Sequence, residues 1–222
     1  TKIIDLSTDF RLEADLNFNG KSFVYGLPEL QKEAIKKANY IANPGCFATA
    51  IQLALLPLAK SNGLKDDVHI NAVTGATGAG TTLSATTHFT WRDNNFSHCK
   101  AFTHQHLAEI NQTVNQLQSN FDSEINFLPN RGNHSRGIFA TLYTKFEGSI
   151  EEAKKMYSDF YKNAGFTITL KDEETTHAYD VNKLYAFVLS TCDNDKYGWP
   201  QLTPTDEVQP SDGEITTGSY YI

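Results

Sequence analysis

Apolar positions are unevenly spread along the chain, and the densest run, residues 47–60, carries only Thr49, Gln52 and Lys60 as polar side chains. A segment apolar nearly all round belongs inside a core. The pattern predicts a buried helix over 47–56 with Thr49 and Gln52 as a narrow polar strip, kinked or ended by Pro57. Residues 2–6 read as a buried strand and 7–11 as a polar turn. The stretch 23–30 reads as a loop, 31–38 as a charged helix, and 40–42 as a short strand.

Beyond the apolar helix, residues 67–73 alternate as a strand and run into a glycine-rich loop. A helix is predicted from His106 to about residue 119, followed by strands over 124–128 and 137–143 around a polar loop. Residues 149–164 form an amphipathic helix, with Ser149 as its cap and Glu151 and Glu152 in its first turn. Residues 166–170 and 184–190 read as strands. From Cys192 onward, Asp, Gly, Pro, Thr and Tyr predict loops. The class is α/β: a mixed sheet built from the strands after Asp67, covered by helices.

Composition narrows the function classes. At 40% hydrophobic and 20% charged the chain is ordinary for a folded protein, and its net charge of -7 argues against a nucleic-acid partner. No apolar run approaches the roughly 20 residues of a membrane helix, so no membrane partner is expected. The first residues lack the features of a signal peptide. Three separated cysteines, Cys46, Cys99 and Cys192, form no disulfide framework. The expected compartment is the reducing cytoplasm.

Cys46 lies in Asn43-Pro44-Gly45-Cys46-Phe47-Ala48-Thr49-Ala50, where a strand gives way to a helix. A thiol at a helix N-terminus faces unpaired N–H groups and the positive end of the dipole, which favours the nucleophilic thiolate. The alternative is a small buried hydrophobe. His106 and Glu109 share a helix face, so the carboxylate can orient the imidazole, with His104 as a second candidate base. They read equally as solvated side chains. Thr74-Gly75-Ala76-Thr77-Gly78-Ala79-Gly80 either presents amides to an anion or is a tight turn. Arg131 and Arg136 suit carboxylate or phosphate recognition. His98, Cys99, His104 and His106 match no common zinc spacing, and no metal is expected.

Six ordered blocks, from Ile4-Asp5-Leu6-Ser7-Thr8-Asp9-Phe10-Arg11-Leu12 through Val24-Tyr25-Gly26-Leu27-Pro28-Glu29-Leu30, the cysteine octapeptide, the glycine-rich loop and His104-Gln105-His106 with Glu109 to Arg136-Gly137-Ile138, resemble the N-acetyl-gamma-glutamyl-phosphate reductases of arginine biosynthesis. The resemblance implies an α+β catalytic domain of the glyceraldehyde-3-phosphate-dehydrogenase-like type beside a remnant of a Rossmann domain. It further implies NADP(H), N-acetyl-glutamyl phosphate as substrate, and a homodimer or homotetramer. Cys46 matches the nucleophile, His106 the acid/base with Glu109 behind it, and His104 the runner-up. Asn43, Tyr25, Arg92, Arg131 and Arg136 are the expected substrate contacts. Ser7, Gly75, Thr77, Gly78, Ala79 and Gly80 are the expected cofactor contacts.

Two departures accompany the resemblance: family members begin with a βαβ unit carrying a glycine-rich turn, which this chain does not contain, and nothing after about Asp172 matches. The expected division is 1–45 as the dinucleotide-domain remnant, 46–171 as the catalytic and oligomerisation domain, and 172–222 as an unmatched region. A cofactor-independent thiol acyltransferase or hydrolase and a non-catalytic assembly module are the competing classes.

Overall fold

The computed structural model describes residues 2–170 and the backbone of 187–189. Two four-stranded sheets flank one buried helix. The first sheet joins β1 (Ile3–Asp5), β2 (Asn17–Phe18), β3 (Lys21–Tyr25) and β4 (Tyr40–Ala42) in the order β1-β4-β3-β2. Its first three strands in that order run parallel, and β2 folds back on β3 as a hairpin. A helix, α1 (Pro28–Lys37), links β3 to β4 and opens with proline, whose missing N–H costs nothing in a first turn.

Residues 23–30, read as a loop, are instead the end of β3 and the start of α1. The alternating run before Gly26 pairs with β4, and that tertiary pairing outweighs the local glycine and proline. β1 is present but not buried: Ile4 is 61% exposed, because β1 is the sheet's edge and no described element covers it.

α2 (Cys46–Lys60) is the core helix, with twelve buried residues. It does not stop at Pro57. A proline inside a helix leaves the carbonyl four residues earlier without its donor, which here is Leu53. That oxygen accepts the hydroxyl of Tyr161, and the next, Ala54, accepts that of Tyr157. Both tyrosines lie on α5 (Ile150–Tyr161), which begins with the expected Ser149 cap and a reciprocal Glu152 bond. Aromatic hydroxyls from another helix thus replace the backbone partner.

The second sheet has the order β6-β7-β5-β8, where β5 is Val68–Thr74, β6 Ser97–His98, β7 Ile125–Arg131 and β8 Ile138–Tyr143. β5 pairs parallel with β7 and antiparallel with β8. A single turn, α3 (Phe89–Arg92), precedes β6, and α4 (His106–Leu117) packs against α2. One sheet face sends Val68, Ile70, Ala72, Phe127 and Ile138 into the core. The other leaves Asn71, Phe139, Thr141 and Tyr143 exposed. β9 (Thr167–Thr169) pairs parallel with β10 (Phe187–Leu189). Residues 171–186 and 190–222, with most of the last predicted strand and all predicted loops, lie outside the described residues.

Replacing Tyr161 with Phe should therefore cost about 1–2 kcal/mol, the value of leaving a buried carbonyl unpaired. The cost should shrink in a Pro57→Ala background, whose new N–H can serve Leu53. Urea unfolding of the four chains measures both.

Candidate active site

Gly45 decides how close the two reactive side chains come. A methyl group at this position would lie 2.3 Å from Nε2 of His106, so only glycine lets the imidazole rest on the backbone next to Cys46. β4 delivers Asn43, Pro44 and Gly45, and Gly45 caps α2, accepting both the N–H and the hydroxyl of Thr49. Cys46 is half-buried at the first helical position. His106 opens α4 and is buried.

The two histidines are not equivalent. His104 Nδ1 accepts the backbone N–H of His106 at 3.2 Å, which places the His104 proton on Nε2. Its ring is wedged edge-on among Phe47, Phe127 and His106. Among the described residues His106 Nδ1 has no hydrogen-bond partner.

Glu109 sits beneath the turn and was expected to orient His106. Its Oε1 lies 4.0 Å from Nε2 of His106, an ion-pair contact too long for a hydrogen bond. One carboxylate oxygen, Oε1, instead accepts from Nη1 of Arg11 at 3.2 Å. The other, Oε2, accepts from the Tyr25 hydroxyl and the Gly45 N–H, each at 2.9 Å. Tyr25 is therefore not free for substrate; its hydroxyl is committed to Glu109 and Gln52, and burial raises its pKa. Gln52, half of the polar strip of α2, also donates to the Glu109 backbone carbonyl.

Burial decides the charge state of the reactive pair. It pushes the Cys46 thiol above its ordinary value, against the favourable Phe47 and Cys46 amides and the Arg11 cation. The sequence expectation of a readily ionised thiol is thus overturned, because desolvation of the anion outweighs the helix terminus. Burial also takes His106 down to about 4, aided by Arg11 and Lys100, and His104 to about 4, aided by His106 and Lys100. At neutral pH the pair is thiol and neutral imidazole.

The loops around this turn are built differently from expectation. Phe127, in register with Ile70, packs on Phe47. The four residues that follow on β5 and β7 carry those strands about 13 Å further. There the amides of Gly75, Ala76 and Thr77 donate to carbonyls of Gly137, His134 and Ser135, and those of Gly78 and Gly80 bond within the loop. The 74–82 loop is a docked turn, and those five amides are not open to an anion. A Cβ on Gly75 would meet Ser135 and Arg136 backbone at 2.6 Å, which explains this glycine by packing. Ala79 lies in the same turn of 3-10 helix. The Thr77 hydroxyl donates to Ser135, and the Ser7 hydroxyl donates to Asp5.

Arg92 is buried, its Nη atoms donating to the Arg131 carbonyl and Ser97 Oγ. The Nε atoms of Arg92 and Arg131 are buried and have no partner among the described residues. Arg136 and Asn43 are exposed. Among the described residues no three His, Cys, Asp or Glu side chains are grouped to hold a metal.

Residues 46–196 match the sequence profile of the family described as semialdehyde dehydrogenase, dimerisation domain. The chain belongs to that family. The match continues past Asp172, where the motif resemblance stops. The N-acetyl-gamma-glutamyl-phosphate reductase of Christiangramia forsetii is 71% identical over 174 residues, covering 78% of this chain and 53% of that protein. The protein of the same name in Flavobacterium johnsoniae is 62% identical, over 85% of this chain and 58% of its own length. The chain thus spans little more than half the length of these relatives. The crystal structure of aspartate semialdehyde dehydrogenase II from Vibrio cholerae superposes with a TM-score of 0.58 at 14% identity, covering 85% of this chain and 61% of that one. This family member therefore shares an α/β fold with that dehydrogenase. Among the described residues no helix is long and apolar enough to cross a membrane.

Arg11 was not foreseen as a site residue. It stands in the first of the six ordered blocks, but its segment read as a polar turn and nothing there assigned it a role.

Because His104 and His106 are held neutral, the unfolded chain binds more protons than the folded one between pH 6.5 and about 4. Stability should be full above 6.5 and fall as pH drops through that window, by about 1.4 kcal/mol per unit for each ring. Urea melts at pH 7, 6, 5 and 4 measure the slope, and His104→Asn, which keeps an acceptor for the His106 N–H, should make it shallower.

Proposed function

We propose that this chain carries the thiol chemistry of a reductase that converts N-acetyl-glutamyl 5-phosphate into N-acetyl-glutamate 5-semialdehyde and phosphate, in arginine biosynthesis in the cytoplasm. The observation that carries this reading is the His106 ring seated on Gly45 beside Cys46. It gains support from the names of the relatives and from the ordered motifs. Because the resting pair is neutral, the thiolate forms as it is used. His106 takes the proton of Cys46 while sulfur attacks the acyl carbon, phosphate leaves, and a thioester remains. The Cys46 and Phe47 amides at the start of α2 face the sulfur and can assist the developing negative charge. After reduction His106 returns a proton as the thiohemiacetal collapses.

The reductant in this reading is NADPH, which supplies the hydride. Ser7, turned onto Asp5, and the loop amides at 75–78 and 80, already bonded, do not form a cradle for that dinucleotide. The chain's own share is acylation and proton handling. Arg92 and Arg131, with unpartnered buried Nε atoms and no carboxylate bonded to them among the described residues, are the best anchors for the substrate's anionic groups, ahead of exposed Arg136. Asn43 lines the approach to the turn. His104 caps α4 and leaves the acid/base role to His106. Residues 1–45 are read as part of a dinucleotide-binding unit, since the first sheet draws its strands from residues 3–42. Residues 46–171 form the catalytic and oligomerisation unit, with 172–222 beyond it. The assembly is a homodimer closed through the open sheet face at Phe139 and Tyr143, in line with the family's description, or a tetramer of such pairs.

Incubating the chain with N-acetyl-glutamyl phosphate should place one acyl group on Cys46 and release one phosphate, seen by intact mass and phosphate assay. Hydroxylamine should remove the group, and Cys46→Ala should abolish it. A wild-type chain that releases phosphate without acylating Cys46 would sink the reading. Gly45→Ala, which evicts the imidazole, should slow acylation by roughly 100-fold, the lower end of what a positioned base contributes. Phe139→Asp should convert dimer to monomer in sedimentation without changing the acylation rate.

A further inference from the structure

Glu109 collects donors from three separate segments, one a strand of the first sheet and one the connection that follows its β1. Arg11 lies in the segment after β1, and Tyr25 ends β3. The third is the Gly45 N–H, directly before the reactive cysteine. Both terminal nitrogens of Arg11 are held at this junction: Nη1 donates to Glu109 Oε1 and Nη2 to the Leu6 carbonyl, each at 3.2 Å, while Nε has no partner among the described residues. The segment carrying it is clipped along α4 by Gln112, which donates to the Arg11 carbonyl and accepts the Glu13 N–H. Gln116 adds a bond to the Glu13 carboxylate.

We propose that Arg11 is a positioning residue for the thiol, acting through Glu109 on the Gly45 amide; this rests on the reading of Cys46 as nucleophile. The carboxylate is rotated and held by the guanidinium, so that its second oxygen points at the turn. The turn in turn carries the His106 ring. A lysine neutralises Glu109 equally well but reaches as a single point, so it cannot grip Glu109 and Leu6 in the planar arrangement of a fork. Charge compensation and positioning therefore separate in one substitution.

Hydrogen exchange of the Gly45 amide in the full chain, followed by NMR, reads the effect without catalysis. In Arg11→Lys the Gly45 amide should exchange about tenfold faster, the loss of a charge-assisted bond's worth of protection. The Ile70 amide in β5 should not change. Gln112→Ala, which loosens the segment without removing a charge, should move Gly45 in the same direction by a smaller factor. Cys46 acylation in Arg11→Lys should fall about tenfold in its limiting rate with unchanged half-saturation, as expected for lost positioning rather than lost binding. Wild-type Gly45 exchange and acylation in a folded Arg11→Lys chain overturns the proposal; if that chain does not fold, an unmoved Gly45 in Gln112→Ala does so. A wild-type chain that takes no acyl group overturns the thioester reading instead, and Gly45 exchange then still decides whether Arg11 acts on the turn.

Discussion

A carboxylate in a protein interior must be matched, and the match at Glu109 organises everything near Cys46. Its partners are a guanidinium, a phenol and a backbone amide, drawn from residues 11, 25 and 45. A buried charge stripped of its partner costs far more than the pair contributes. The three segments are therefore obliged to arrive together. That obligation ties the first sheet to the core helix and sets the level at which the thiol emerges.

Desolvation governs the chemistry as well as the architecture. It raises the thiol and lowers both imidazoles, so at neutral pH a thiol stands beside uncharged rings. The helix terminus, which on an exposed cysteine would dominate, is here the smaller influence. A thiol kept neutral by burial in this way is quiet toward stray electrophiles. The glycine before it matters as much as the cysteine, since the imidazole occupies the space a side chain would fill.

Much of this was legible in the residues, for physical reasons that differ from place to place. The apolar run after Cys46 left a core helix as the only reading, and Ser149 with Glu152 marked the start of α5. Spacing and motif singled out His106 as one alternative, and the same spacing put Glu109 beside it, whereas the carboxylate makes its hydrogen bonds to Arg11, Tyr25 and Gly45. The segment after Phe23 misled because glycine and proline signal turns locally, while its pairing partner at residues 40–42 is far along the chain. The glycine-rich loop takes its tight-turn reading, but its amides find carbonyls some 60 residues later, which no local pattern announces. Arg11 was hidden because charge at a sequence position says nothing about burial until the fold encloses it.

The proline inside α2 has a consequence for how the polypeptide is made. Leu53 obtains its hydrogen-bond donor from Tyr161, 108 positions downstream. During synthesis the final turn of the core helix stands ready long before that phenol leaves the ribosome. Such distant closure is slow. Until α5 has been made and docks, the Leu53 carbonyl is without this donor.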